Sequence, residues 1–150
     1  ALTPALCMAL RAALADRLNI VIAGGTSSGK TTFANALLSE PSLADDRIVI
    51  LEDTRELRCS AEDVTQLRTH RSGITLRDLV RSTLRLRPDR IIVGEVRGGE
   101  ALDLLKAWNT GHPGGITTLH ANSAPGALTR LEQLVEEATA GHGGSNRPSA

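Results

Sequence analysis

An α/β fold, with a mainly parallel sheet flanked by helices, is the class this sequence predicts, and three observations carry it. Three short apolar runs rich in Ile and Val, and a fourth run, Ile116 to Leu119, of β-branched residues and leucine, alternate with stretches of helical periodicity, the pattern of strand–helix–strand units. Each run ends in polar or conformationally special residues. A glycine-rich segment, Gly24-Gly25-Thr26-Ser27-Ser28-Gly29-Lys30-Thr31, joins the first run to the helix after it. Ligands of parallel sheets bind beyond the carboxyl ends of the strands, so this arrangement gathers the chemistry on one edge. With 150 residues and 41% hydrophobic content, the chain can bury one core and not two.

The elements follow in order. Thr3 as N-cap and Pro4 at the first helical position predict a helix over residues 3–18. Leu6, Leu10, Leu14 and Leu18, spaced i, i+4, give it one buried face. Asn19 to Ala23 is the first strand, and a helix from about Thr31 to Ser39 is stopped by Pro41. Arg47 to Leu51 is a second strand, nearly all apolar as in the middle of a parallel sheet, ending in Glu52-Asp53-Thr54-Arg55-Glu56. Residues 57–74 are expected to hold short strands and loops. Thr75 begins a helix, with Asp78 three residues on and an Ile74–Leu79 pair placed as a hydrophobic staple; Pro88 ends it. Arg90 to Gly94 is the third strand, ending in Glu95-Val96-Arg97. A helix over Gly98 to Thr110 is closed by Gly111, Ile116 to Leu119 is the fourth strand, and a last helix covers about Pro125 to Ala138. Residues 1–140 thus form the folded core, and the Gly/Ser/Pro-rich residues 141–150 are expected to be disordered.

Composition excludes several functions. Formal net charge is zero, unlike the basic field of a duplex-binding domain. Phe33 and Trp108 are the only aromatic residues, too few for base-stacking platforms, so direct nucleic-acid binding is not expected. Cys7 and Cys59 have neither zinc nor redox spacing and read as free thiols of a reducing cytosol. Neither a signal-peptide pattern nor an apolar run of membrane-spanning length occurs, and a soluble protein is expected.

The glycine-rich segment fits the phosphate-loop pattern Gly-x4-Gly-Lys-[Ser/Thr] and has the strand before and helix after that the pattern requires. Gly24 and Gly29 permit backbone conformations that turn successive N–H groups onto an anion, and the following helix points its positive dipole end there. Lys30 can reach β- and γ-phosphates, and Thr31 offers a hydroxyl to Mg²⁺. Lys30 and Lys106 are the chain's two lysines among 17 basic residues, so a compact ammonium occurs where phosphate demands one. Ser27 stands where many such loops have a further glycine.

Phosphoryl transfer to water also needs a metal, a placed water and positive charge. Glu95 ends a strand facing the loop, where a second acidic motif would hold Mg²⁺ through water. Any of Glu52, Asp53 and Glu56 could polarise the attacking water. His112 and His120 could bond a phosphate, although a lone histidine is more often structural. Arg97 is a candidate phosphate or salt-bridge partner. Arg68 and Arg71 could reach a neighbouring subunit's nucleotide. Arg77, Arg81 and Arg85 lie at i, i+4 and read as a solvated or subunit-facing stripe.

Four stretches together resemble a known family: Gly24 to Thr32; Leu51-Glu52-Asp53-Thr54-Arg55-Glu56; Leu86 to Arg97; and Thr110 to Asn122. They look like the Walker A, Asp, Walker B and His boxes of the type II/IV secretion ATPases, in that order, and Ala101 to His112 is especially similar to the conjugal-transfer members. The resemblance spans about residues 5–138. It implies a RecA-like core of a P-loop NTPase that binds ATP and Mg²⁺ through Gly24, Gly25, Thr26, Ser27, Ser28, Gly29, Lys30, Thr31 and Thr32. Thr31 and Glu95 would hold the metal, and Lys30, Glu56, Glu95, Arg97 and His120 would serve catalysis. Glu56 matches the glutamate proposed as base in related motors. The resemblance further implies a homohexamer at the cytoplasmic face of the inner membrane, powering conjugation or secretion. Family members carry an extra N-terminal domain and further strands, so a core truncated at both ends is expected. The alternatives are a non-catalytic nucleotide-binding or assembly module and a small P-loop kinase, which would leave the His box unexplained. A GTPase is disfavoured because no Asn-Lys-x-Asp occurs.

Overall fold

The computed structural model describes residues 2–141. Its elements are α1 (Pro4–Ala15), β1 (Ile20–Gly24), α2 (Lys30–Leu38), β2 (Ile48–Glu52), β3 (Val64–Arg68), α3 (Leu76–Thr83), β4 (Arg90–Val96), α4 (Glu100–Asn109), β5 (Ile116–His120) and α5 (Ala124–Ala140), with two 3₁₀ turns at Pro41–Leu43 and Leu84–Leu86. All strand pairs are parallel, in the order β1-β5-β4-β2-β3. The predicted α/β class and all four predicted strands are present. The fifth, β3, comes from residues 57–74, where short strands were expected.

Period-two alternation explains why the central strands are apolar on both faces. Val49 and Leu51 of β2, with Ile91 and Val93 of β4, pack against α3, α4 and α5. Ile48, Ile50 and Ile92 turn the other way, onto Leu14 of α1 and Ala34, Leu37 and Leu38 of α2. The result is three layers, with helices on both faces of one sheet.

The helix starts follow the sequence closely. Thr3 Oγ1 accepts the Leu6 N–H at 3.3 Å, and Thr75 with Asp78 forms a reciprocal capping box. Ile74 is exposed, so the start of α3 rests on that box. Two expectations fail. Helix α1 ends at Ala15 because Arg17 takes a left-handed conformation (φ 55°). Its leucine face is mostly not buried: Leu14 is enclosed, while Leu6 and Leu18 are 45% and 55% exposed. One helix lying at the margin of α2 covers only part of its apolar stripe. The expected disordered tail over 141–150 lies, beyond Gly141, outside the described residues.

At the amino-terminal edge of the sheet, the guanidinium of Arg90 is almost wholly buried. It donates to Asp46 Oδ2 at 2.5 Å, the Leu14 carbonyl at 2.9 Å and the Gly114 carbonyl at 3.2 Å. Asp46 also accepts from Arg17 at 2.6 Å. His112 belongs to this end too, Nδ1 lying 2.7 Å from the Pro88 carbonyl. It is therefore no phosphate ligand; its placement before β5 puts it at the edge opposite the strand ends.

Candidate active site

The carboxyl ends of β1, β2, β4 and β5 surround a cavity of about 340 Å³. The glycine-rich loop forms one wall, contributing Thr26, Ser27, Lys30 and Thr31. Its shape has specific causes. Gly29 caps α2 with φ 89°, and Ser27 takes φ 58°, a strained position that serine tolerates. Gly24 has another reason to be glycine than the backbone freedom expected of it: a Cβ there would lie 2.3 Å from Ser28 Oγ. The first helical bond of α2 runs from Phe33 N–H to the Gly29 carbonyl, so the amides of the first turn have no partner within the helix. Lys30 Nζ donates to the carbonyls of Gly24 and Gly25 at 2.9 and 2.6 Å, arching back over the loop. Thr32 does not line the main cavity; with Ser28 and Gly29 it lines an adjoining hollow that shares Ser27, Lys30 and Thr31 with it.

Glu56, from the turn after β2, sits across from the loop: Thr31 Oγ1 donates to its Oε2 at 3.3 Å. The turn itself is shaped by Glu52, the last residue of β2, whose Oε1 accepts the Glu56 and Leu57 N–H groups at 2.9 and 2.8 Å. Asp53 also lines the cavity and accepts the Thr69 hydroxyl at 2.9 Å.

Glu95 reaches the cavity through a bulge. Val93 pairs with Thr117 and Val96 with Leu119, so Gly94 and Glu95 together stand opposite Thr118 alone. An extra residue in one strand bends it and re-aims a side chain. Thr118 Oγ1 fastens the bulge by donating to the Gly94 carbonyl at 2.7 Å. Arg97 Nε then donates to Glu95 Oε2 at 2.7 Å, with a second contact through Nη2, and pairs with Asp53 at 3.8 Å. Its bond to Glu95, ahead of an opposing desolvation and the charges of Glu95, Asp53 and Glu100, pushes the guanidinium further up, so it stays cationic. Glu100 holds that turn much as Glu52 holds the other, Oε1 accepting the Arg97 and Gly98 N–H groups at 2.6 and 2.9 Å. His120 ends β5 beside Gly24 and lines the cavity.

Lys30, Thr31, Glu56, Glu95, Arg97 and His120 are thus brought together. Arg68, the last residue of β3, and Arg71, in the loop after it, are exposed and do not line the cavity. Of the arginine stripe, Arg85 is exposed, while the other two are tied to the neighbouring helix. Arg77 and Arg81 both donate to Asp103 of α4, at 2.6 and 3.1 Å, because α3 packs on α4. Sequence reasoning grouped Glu52 with its neighbours and missed Thr118. Strand alternation could have separated Glu52, which continues the inward row of Ile48 and Ile50; nothing local signals a bulge. Cys7 and Cys59 are free, as expected, and burial pushes the Cys59 thiol up.

Among the described residues, no cluster of three or more His, Cys, Asp or Glu could cage a metal ion. The hard oxygen donors lining the cavity include Thr31, Glu56 and Glu95. That set suits Mg²⁺, which binds through one or two carboxylates together with substrate phosphates and waters.

A family model described as type II/IV secretion system protein matches residues 3–140. The chain belongs to that family. This secretion-family chain is 59% identical over 140 residues to the conjugal transfer protein TrbB of Rhizobium radiobacter, covering 92% of itself and 43% of that relative. It is 40% identical over 138 residues to the type IV secretion system protein VirB11 of Bartonella henselae, covering 88% of itself and 38% of the relative. Among solved structures, it is similar to the VirB11 ATPase of the Brucella suis type IV secretion system in complex with sulphate, with TM-score 0.82 and 36% identity. That match covers 95% of the chain and 45% of the solved one. The chain therefore spans less than half the length of these relatives. Among the described residues, no helix is long and apolar enough to cross a membrane.

Proposed function

We propose that this chain is the ATP-binding and hydrolysing core of a secretion-type motor subunit that powers conjugal transfer or type IV secretion. The observation that carries this is the cavity itself: the phosphate loop faces Glu56, Glu95, Arg97 and His120, delivered by the ends of three other strands.

ATP binding exchanges the Lys30 contacts with its own loop carbonyls for contacts with phosphate oxygens, while the first-turn amides of α2 and its dipole take the β-phosphate. Thr31 and Glu95 would hold Mg²⁺, which supplies neutralising charge to the phosphate oxygens. Glu56 orients a water and takes its proton as the water oxygen bonds to the γ-phosphorus. The bond from that phosphorus to the bridging oxygen breaks, and ADP carries the electron pair away. Arg97, cationic and tethered to Glu95, balances charge at the rim, and His120 offers a ring nitrogen to the phosphate side. The relatives' names support conjugal transfer or type IV secretion as the process served; in this reading a homohexamer docked on the secretion apparatus at the cytoplasmic face of the inner membrane is the setting in which turnover does work.

Phosphate release from ATP, with and without Lys30→Ala, tests the proposal. The substitution is expected to lower turnover by about 100-fold or more, with no release when Mg²⁺ is chelated. Nucleotide binding without any release would instead make the chain an assembly module, and transfer to a small acceptor in preference to water would make it a kinase.

A further inference from the structure

Glu52 does something that the hydrolytic scheme does not use. It is 3% exposed at the end of β2, on the face shared with α2. One carboxylate oxygen accepts two successive amides, those of Glu56 and Leu57. The other is buried with no hydrogen-bond partner among the described residues. Burying a carboxylate with one oxygen unpaired is costly, and an apolar residue would continue the row of Ile48 and Ile50 without that cost. Gly94 across from it makes the room: a Cβ there would approach Glu52 Cγ to 3.0 Å. Leu57, also 3% exposed, anchors the far side of the same turn.

We infer that Glu52 is the positioning residue of the site. By gripping the Glu56 and Leu57 amides, it fixes the exposed turn 53–56 so that the Glu56 carboxylate stays at the Thr31 hydroxyl. Among the described residues, that 3.3 Å bond is the one hydrogen bond that holds the Glu56 carboxylate there. Without the grip the turn is free to swing, and Glu56 leaves the place where a water would be activated. This role rests on the ATPase reading for its catalytic consequence, but the grip is measurable without it.

The test compares Glu52→Ala, Glu52→Gln and Gly94→Ala in the full chain. Amide hydrogen exchange at Glu56 and Leu57 is read alongside kcat and ADP affinity. Glu52→Ala is expected to speed exchange at those two amides about tenfold or more. It should lower kcat about 100-fold, the loss that small misplacement of a reacting group brings, with ADP affinity held within about threefold. Glu52→Gln keeps an oxygen that accepts both bonds, and should restore protection and bring kcat within about tenfold of the parent. Gly94→Ala, which crowds Glu52 without removing it, should speed exchange at the same two amides; it carries the test if Glu52→Ala does not fold. Unchanged exchange in both alanine variants overturns the inference. So does Glu52→Gln with protection restored and turnover as low as in Glu52→Ala, because charge rather than position would then matter. A parent chain that releases no phosphate sinks the ATPase reading, while the exchange rates still decide the grip.

Discussion

Glu95 reaches the cavity because β4 carries one residue more than β5 between Val93 and Val96, and Thr118 fastens that surplus to the Gly94 carbonyl. Single side chains set this site in pairs. Glu52 and Glu100 each take two backbone amides from the turn after a strand, and each of those turns carries a charged residue of the site. Arg97 holds Glu95 in turn, so the acid has a defined direction. Thr118→Val keeps the shape of the side chain but leaves the Gly94 carbonyl without its donor. It is expected to cost about 1 kcal/mol of stability in urea unfolding and to lower turnover, because the bulge loosens. A variant with parental stability and parental turnover would show that the bulge holds without the hydroxyl.

At the scale of elements, capping decides where helices start. Thr75 and Asp78 close the start of α3, and hydrogen bonds from the Thr75 hydroxyl and backbone hold the Asp78 carboxyl below its usual range. A depressed carboxyl stabilises the folded state above the unfolded pKa and loses that contribution as pH falls through the folded one. Asp78→Ala should therefore lower Tm at neutral pH, and the gap from the parent should close below about pH 4. A gap that persists in acid would assign the loss to something other than the ionised cap. Helix ends are less local. The positive φ of Arg17 stops α1 short of Leu18, and Leu84–Leu86 tightens into a 3₁₀ turn before Arg87 reverses at φ 51° ahead of Pro88.

Over the whole molecule, the two edges of the sheet do different work. The carboxyl edge carries the cavity, and the amino edge is tied together by Arg90, which joins the end of α1, the turn before β2 and the turn before β5. Arg90→Met removes a buried guanidinium and leaves two carbonyls and one carboxylate oxygen without that donor. It should lower unfolding stability by about 3 kcal/mol or more. Nucleotide affinity of the folded fraction should not change, because Arg90 lies at the far end of β4; a parallel loss of affinity would mean that the two edges are coupled.

How much of this was legible beforehand follows from how local each cause is. The strand–helix alternation, the glycine-rich loop and both the Thr3 and Thr75 caps depend on neighbours within a few residues, so composition and spacing revealed them. The β2 run announced a doubly covered strand because both of its faces had to be apolar. The four polar strand ends announced a shared edge, and parallel pairing brought Lys30, Glu56, Glu95 and His120 to one cavity. What depended on partners far along the chain was not legible. The carbonyl that His112 meets, on Pro88, and the carboxylate that Arg77 and Arg81 share, on Asp103 of α4, lie far along the chain from them. The exposure of Leu6, the bulge at Gly94 and the burial of Glu52 were decided in the same way, by what the sheet and helices set beside them. Periodicity states which residues share a face, but only packing states whether that face is covered.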